Sequence, residues 1–151
     1  MIQVAIVTRR LKEGKTYEDF RQAWYHTVGF GTANRMLTMI NAFDPREIIV
    51  IGLTEITLEG FRSGLEIDVK ERLGHPLDDV IEPTIGRKFG LLVSEDDFSA
   101  SGAIGYRPPA VGGKETGLKD FAYNLREIAK IIGEASRQRD RAKKTGSSPS
   151  L

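Results

Sequence analysis

The sequence contains no cysteine, and this absence excludes several kinds of chemistry at once. Disulfides, thiolate metal sites and a cysteine nucleophile all need a residue that the chain lacks. The absence also fits a reducing compartment, so we expect a cytoplasmic protein. The first seven residues are apolar, but Arg9 and Arg10 follow closely and no small-residue cleavage site is present, so we do not expect a signal peptide.

Long apolar runs and a strong net charge are missing as well. No apolar run approaches the roughly 18 residues that a membrane-spanning helix needs. The formal net charge is only +1, so no overall field favours a nucleic acid or a membrane surface as a partner. The basic segment 137–144 contains no aromatic residue and is typical of a solvated helix end rather than of a nucleic-acid arm. We therefore expect no nucleic acid and no membrane among the partners.

Familiar catalytic and cofactor motifs are also absent. The sequence has no dinucleotide-binding G-x-G-x-x-G, no G-x-S-x-G nucleophile turn and no serine triad. Its two histidines, His26 and His75, are far apart, and neither belongs to a metal-ligand motif such as Glu-x-x-His. We therefore expect no bound metal and no cofactor.

The residues that are present show strand-like and helix-like apolar periodicity in turn. Ile2, Val4 and Ile6 alternate with Gln3 and Ala5, which is typical of a half-buried strand. The same criteria predict strands at 2–8, 33–43, 47–56 and 84–93, and helices between Thr16 and Gly29 and between Thr57 and Gly74. The resulting order, βαββαβ, is the ferredoxin-like plan and predicts an α+β fold.

Local signals refine these predicted elements. Thr16 is the predicted N-cap of the first helix, Asp19 forms a short capping box with it, and Gly29 ends the helix. The pair Asp44-Pro45 predicts the turn that joins the second and third strands into an antiparallel hairpin. Because the third strand is almost continuously apolar, we expect it at the centre of the sheet.

The C-terminal third of the chain adds a further helix to this plan. An irregular stretch from 95 to 116 precedes an apolar helical pattern at 118–135. We divide the chain into a ferredoxin-like domain (1–99), a loop with an amphipathic C-terminal helix (100–144) and a disordered tail (145–151). The apolar stripe of the added helix is too large to stay uncovered, so the helix packs across the pocket of its own subunit or on a partner.

Four strands with helices on one face leave the other face of the sheet apolar and uncovered. We expect a second copy of the chain to cover that face, which would make the protein a homodimer. A tetramer assembled through the added helices is a second expectation.

Four short segments carry a resemblance to a known superfamily. They are RLK at 10–12, FRQAWYH at 20–26, IGRKF at 85–89 and DDF at 96–98. With the predicted element order, they make residues 1–99 similar to the dimeric α+β barrel superfamily. That group includes EthD-like proteins, stress-responsive barrel proteins and antibiotic-biosynthesis monooxygenases. The resemblance implies two sheets packed face to face as a dimeric barrel, and a cleft between helices and sheet that binds small hydrophobic or aromatic compounds.

His26 is the candidate catalytic residue. The segment Trp24-Tyr25-His26 resembles the aromatic-x-x-His pattern of EthD-like proteins, and its predicted place is the end of the first helix. A histidine beside a pocket suits general acid or base catalysis because its pKa lies near neutrality. The alternative is a boundary histidine that caps the last helical carbonyls. Trp24 is a candidate wall for a planar ligand, and its alternative is a place in the core.

Arg35 and Asn41 complete the predicted substrate-binding set. Both are polar residues on the same predicted strand face as Leu37, Met39 and Phe43, which indicates either a lined cavity or the end of the sheet. Arg35 suits a carboxylate or phenolate ligand, and its alternative is a solvated position near the start of the strand.

Three functions remain open from the sequence. The first is a cofactor-independent monooxygenase or isomerase that acts on a hydrophobic or aromatic compound, with His26 as its acid or base. The second is a ligand-binding, stress-related barrel without catalysis. The third is a structural oligomer whose C-terminal helix docks a partner. The resemblance favours the first, and the absence of a strong catalytic motif favours the other two.

Overall fold

A computed structural model of the chain describes residues 1–106 and 118–146, with only the backbone described at 118 and 119. The strands are β1 Ile2–Leu11, β2 Asn34–Asn41, β3 Asp44–Glu55 and β4 Ile81–Leu91, and the helices are α1 Tyr17–Ala23, α2 Leu58–Gly74 and α3 Leu118–Thr145. The end of the predicted irregular stretch (107–116) and all but the start of the predicted disordered tail (147–151) lie outside the described residues.

The four strands form one antiparallel sheet in the order β2-β3-β1-β4. This confirms an α+β fold with a four-stranded sheet and three helices, which is compatible with the ferredoxin-like class. The predicted hairpin of the second and third strands and the central place of the third strand are both confirmed. None of the helices in the described part of the chain is long and apolar enough to cross a membrane.

The turn between β2 and β3 lies two residues earlier than predicted. Asn41 already pairs with Asp44, so the turn is made by Ala42 and Phe43, and the predicted turn at Asp44-Pro45 is wrong. The Asn41 side chain accepts a hydrogen bond from the Phe43 N–H at 2.9 Å. This bond closes a local turn and gives the Phe43 N–H an acceptor. Asp44 is drawn into the strand because its carboxylate accepts a hydrogen bond from Arg10 Nε at 3.0 Å.

Helix α1 starts where the sequence predicts and ends six residues earlier than Gly29. The capping box is confirmed, because Thr16 N–H donates to the Asp19 carboxylate at 2.7 Å and Thr16 Oγ1 accepts from Asp19 N–H. Trp24 has extended backbone angles and caps the C-terminus, so the predicted helical position of His26 is wrong. The residues after Ala23 are aromatic or β-branched, which have modest helix propensity, and tertiary hydrogen bonds from this segment to α2 replace the helical ones.

The helices pack on one face of the sheet, which we call the inner face, and leave Met36 and Ile40 of the edge strand β2 41% and 49% exposed there. On β1 the inner face carries the odd-numbered residues from Gln3 to Leu11, and their cross-strand partners lie on the same side. Two apolar clusters form the core there. The first surrounds the fully buried Phe20 of α1 and contains Leu11, Ile48, Val50, Leu77, Val80 and Ile81. The second joins the sheet end to α2 and α3 and contains Ile56, Phe61, Ile128 and Ile131.

Helix α3 packs on its own subunit. Ile128 and Ile131 are buried against Ile56 and Phe61, so the helix packs on α2 and the sheet end, and Arg139 reaches the cavity. An ion pair between Arg62 of α2 and Glu134 of α3 joins the two helices at the surface.

The opposite, outer face of the sheet is apolar and belongs to neither core cluster. Leu37 and Met39 of β2 are 45% and 44% exposed, although their neighbours across the strands are also aliphatic. The aliphatic residues that share this face by register are Val4, Ile6, Leu37, Met39, Ile49, Ile51 and Leu53. Within one chain, therefore, the described helices leave this face open.

Candidate functional site

A cavity of about 130 Å³ lies between the inner face and the helices. The sheet forms its floor, α2 and the segment after α1 form its walls, and α3 reaches its end with Arg139. The apolar and aromatic lining residues are Ala5, Val7, Trp24, Phe30, Met36, Val50, Ile56, Phe61, Leu65 and Phe89. A concave, partly open space of this composition is typical of a small-molecule site.

The cavity exists because small residues face each other across it. Ala5 and Gly52 are cross-strand partners at the centre of the floor, where larger side chains would fill the space. Gly60 and Gly64 lie one turn apart on α2 and form part of the wall above. In sequence these two glycines only weaken the helix, whereas in the fold they keep its cavity side free of side chains.

Arg9 is the most unusual residue of the cavity. Its side chain projects from β1 on the inner face, the residue is only 9% exposed, and its Nε and Nη1 have no hydrogen-bond partner among the described residues. Burial lowers the pKa of Arg9 to about 10, and the nearby Asp68 partly opposes that change. The guanidinium is therefore still charged at neutral pH, and buried, without a bound acceptor on these two nitrogens.

Further polar groups line the same cavity. Gln3 is 4% exposed and its Nε2 is unpartnered, and Asn34 Oδ1 is also buried without a partner among the described residues. The charged lining residues are Arg9, Asp68, Arg87 and Arg139. Burial lowers the pKa of Arg87, and the neighbouring charge of Arg139 acts in the same direction. Positive charge therefore exceeds negative charge around the cavity.

His26 lies beside the cavity rather than in its wall. Its ring packs edge-on against Trp24 and Phe30, with centroid distances of 5.8 and 5.1 Å, and these two side chains line the cavity. His26 Nε2 lies 3.4 Å from Asp68 Oδ1, and Nδ1 is buried without a partner among the described residues. Burial lowers the pKa of His26, while the Asp68 carboxylate raises it. The imidazole is thus kept neutral, with a carboxylate between it and the cavity.

A second set of polar contacts holds the segment that carries His26. The buried carboxylate of Glu71 accepts hydrogen bonds from Thr27 N–H and Thr27 Oγ1, both at 2.7 Å. These bonds lower the pKa of Glu71. The His75 ring lies 3.8 Å from the same carboxylate and packs against the Tyr25 ring at 4.3 Å. The segment after α1 is therefore fixed to α2, and His75 takes part in that attachment.

The structure brings two of the four predicted site residues together. Trp24 lines the cavity and contacts His26. Arg35 pairs with Leu53 in the register of β2 and β3, so it lies on the outer face, away from the cavity. Asn41 lies at the end of β2, where its amide donates to Glu47 at 3.1 Å. The four residues therefore do not form one site.

Sequence reasoning missed Arg9, Gln3 and Asp68. The only available signal was the position of Gln3 and Arg9 on one face of a strand with Ala5 and Val7 between them. The apolar alternation of Ile2, Val4 and Ile6 points to the opposite face as the more buried one, and in the folded chain Gln3 is the residue that is almost fully buried.

Comparisons with protein-family models, with curated proteins and with solved structures find no match to this chain. Within residues 1–106 and 118–146, no group of three or more His, Asp or Glu side chains is arranged to hold a metal ion. The resemblance to the dimeric α+β barrels therefore rests on the short segments that carry it.

Proposed function

We propose that this protein binds a small, largely apolar molecule with an aromatic ring in the cavity on the inner face of its sheet. The observation that carries the proposal is the composition of the cavity: apolar and aromatic walls, with a few buried polar atoms that have no partner within the described residues. A buried polar group without a partner destabilises a folded protein, and a bound molecule that supplies the missing hydrogen bonds would remove that penalty.

The size of the cavity limits the ligand. Its volume is about 130 Å³. An engineered, apolar protein cavity of roughly 150 Å³ accepts benzene, so this one suits a single ring with few substituents. Trp24, Phe30 and Phe89 provide aromatic faces and edges against which such a ring would pack.

The pair of His26 and Asp68 supports a catalytic form of this proposal. Asp68 lines the cavity, and its Oδ1 lies 3.4 Å from His26 Nε2, so a proton taken from a ligand by the carboxylate has a neutral imidazole beside it. Return of that proton to another atom of the ligand would complete an isomerisation. In a cofactor-independent oxygenation, the deprotonated ligand would itself react with oxygen. His26 is in either case an acid–base group that acts through Asp68.

The outer face supports a homodimer as the working form of the protein. Leu37 and Met39 expose almost half of their surface at the edge of a broad aliphatic face. An exposed apolar patch on a folded chain typically marks an interface, and a second copy offers a face of the same shape and chemistry. We propose that two sheets pack through these faces as a dimeric barrel. The outer face also favours the alternative function, a non-catalytic, stress-related or structural oligomer, because assembly through this face does not depend on the cavity.

Benzyl alcohol is a suitable first probe because it is neutral and contains one ring. Trp24 is the only tryptophan of the chain and lines the cavity, so its fluorescence should change when the probe binds. Ala5→Leu places a larger side chain on the cavity floor and should abolish the change while circular dichroism shows a folded protein. Ala129→Leu, at an exposed position of α3, is the matched control and should bind as the wild type does.

Two results would contradict this function. One is the absence of saturable binding of benzyl alcohol to the wild-type protein. The other is equal binding by the Ala5→Leu variant, which would place the probe somewhere other than the cavity.

A further inference from the structure

Arg9 differs from two neighbouring arginines that form ion pairs. Arg10 Nε is 3.0 Å from the Asp44 carboxylate, and Arg46 Nη2 is 2.9 Å from Glu82. Arg9 is more deeply buried than either of them, yet it forms no ion pair among the described residues. Because an ionised group loses its hydration on burial, it needs an acceptor of opposite charge more than an exposed arginine does.

The surroundings of Arg9 define the acceptor that would fit. Arg87 lies on the same face, diagonally across from Arg9, and Arg139 reaches the same cavity. Among the described residues that line it, Asp68 is the only acidic one. The cavity therefore has an excess of positive charge that one negative charge would reduce. A carboxylate is planar, and its oxygens match the planar donors of a guanidinium better than other singly charged groups do.

The register of β1 places the rest of the ligand. Val7 and Ala5 follow Arg9 on the inner face, at intervals of roughly 6.6 Å along the strand. Gly52 lies across from Ala5 on β3, and Phe89 lies across from it on β4. An apolar ring therefore has room over Ala5 and Val7 while an acidic group attached to it lies within reach of the Arg9 side chain.

We propose that the ligand is a one-ring aryl carboxylate whose carboxylate binds Arg9 and whose ring occupies the apolar centre of the cavity. This inference rests on the proposed function and specifies its substrate class. Arg9 is then the residue that determines specificity for an anion, and the orphaned donors of its guanidinium are the ones that the carboxylate satisfies.

The test compares benzoate with benzyl alcohol, two probes of similar size that differ in charge. Isothermal titration calorimetry on the full chain should give a benzoate affinity at least about tenfold higher than the affinity for benzyl alcohol. Acetate, which lacks the ring, should bind far more weakly than benzoate. Arg9→Met should remove the preference for benzoate, so that the two probes bind with similar affinity. Arg126→Met, at an exposed position of α3, is the matched control and should keep the wild-type preference.

Each outcome separates the inference from the function on which it rests. If neither ring compound binds, both fail. If both ring compounds bind the wild type equally, or if Arg9→Met keeps the preference for benzoate, the carboxylate assignment fails and the small-molecule function stands. If Arg9→Met does not fold, Arg9→Lys provides the test. It keeps the charge but not the planar donors, so the benzoate affinity should fall several-fold, and an unchanged affinity would overturn the assignment.

Discussion

Replacing Arg9 by methionine should make the ligand-free protein more stable, although the same change should destroy anion binding. Burial lowers the pKa of Arg9 to about 10, well below the ordinary value of an arginine. One pKa unit corresponds to about 1.4 kcal/mol, so the folded state carries a charge penalty on the order of 3 kcal/mol. Since the pKa is lowered, the penalty is present in full at any pH well below 10, including neutral pH. Arg9 is only 9% exposed, so screening by solvent reduces this figure little.

Methionine keeps much of the unbranched arginine stem and removes the charge. The substitution removes the charge penalty but loses part of the packing of the arginine stem, so we expect a net gain of about 2 kcal/mol. For a chain of this length the melting temperature should rise by roughly 6 °C. The assay is thermal unfolding followed by circular dichroism at neutral pH, with Arg126→Met as the control that should change little.

Addition of benzoate should make the wild type more stable than the Arg9→Met variant, the reverse of their order without ligand. It should raise the melting temperature of the wild type, because only the folded state binds it, and raise that of the Arg9→Met variant much less. A clear loss of stability in ligand-free Arg9→Met would refute the reasoning, since it would mean that the guanidinium is already satisfied in the folded chain.

Three further predictions concern other parts of the fold. His26 has a lowered pKa, so the free energy of unfolding should fall as pH drops below 6.5, where the unfolded chain binds the proton first. In urea titrations at several pH values, His26→Gln should remove this part of the dependence of the unfolding free energy on pH. An unchanged dependence would contradict the burial of His26. Leu37→Glu combined with Met39→Glu should convert a dimer to a monomer in light scattering, and a monomeric wild type would exclude the proposed dimer. Ile128→Ala should lower the free energy of unfolding by about 2–4 kcal/mol, because Ile128 is 2% exposed. Glu134→Gln breaks only the surface ion pair with Arg62 and should lower the free energy of unfolding by less than about 1 kcal/mol. Equal effects of the two substitutions would argue against α3 as part of the core.

The order and type of the elements could be predicted because they depend on local signals. Threonine caps at Thr16 and Thr57 both start helices in the structure, and each accepts a hydrogen bond from the backbone three residues on. The aliphatic run of β3 is found beside β1 at the sheet centre. These signals act within a few residues, so the sequence alone carries them.

The end of α1 could not be predicted because distant residues decide it. Gly29 is a reasonable helix terminator in sequence. In the folded chain, however, Thr27 donates two hydrogen bonds to Glu71, which is 44 residues away, and these hold the segment in a non-helical path. His26 consequently reaches Asp68 instead of the helix end that the sequence predicts for it.

The cavity was hidden from the sequence for a related reason. Alternation in β1 shows which residues share a face, but it does not show which face the helices cover. Ile6 and its aliphatic neighbours made the outer face look like the buried one, while Arg9 and Gln3 on the inner face looked solvent-facing. A strand whose two faces are both covered would explain this pattern, and that explanation agrees with the proposed dimer.

The most direct test of the central claim is a crystal structure of the protein with 4-iodobenzoate, whose iodine can be located by its anomalous scattering. We expect the ring above Ala5 and Gly52, with its carboxylate oxygens within hydrogen-bond distance of the Arg9 guanidinium. A cavity closed by the protein's own side chains, or iodine bound only elsewhere on the surface, would argue against a small-molecule site and favour the structural oligomer.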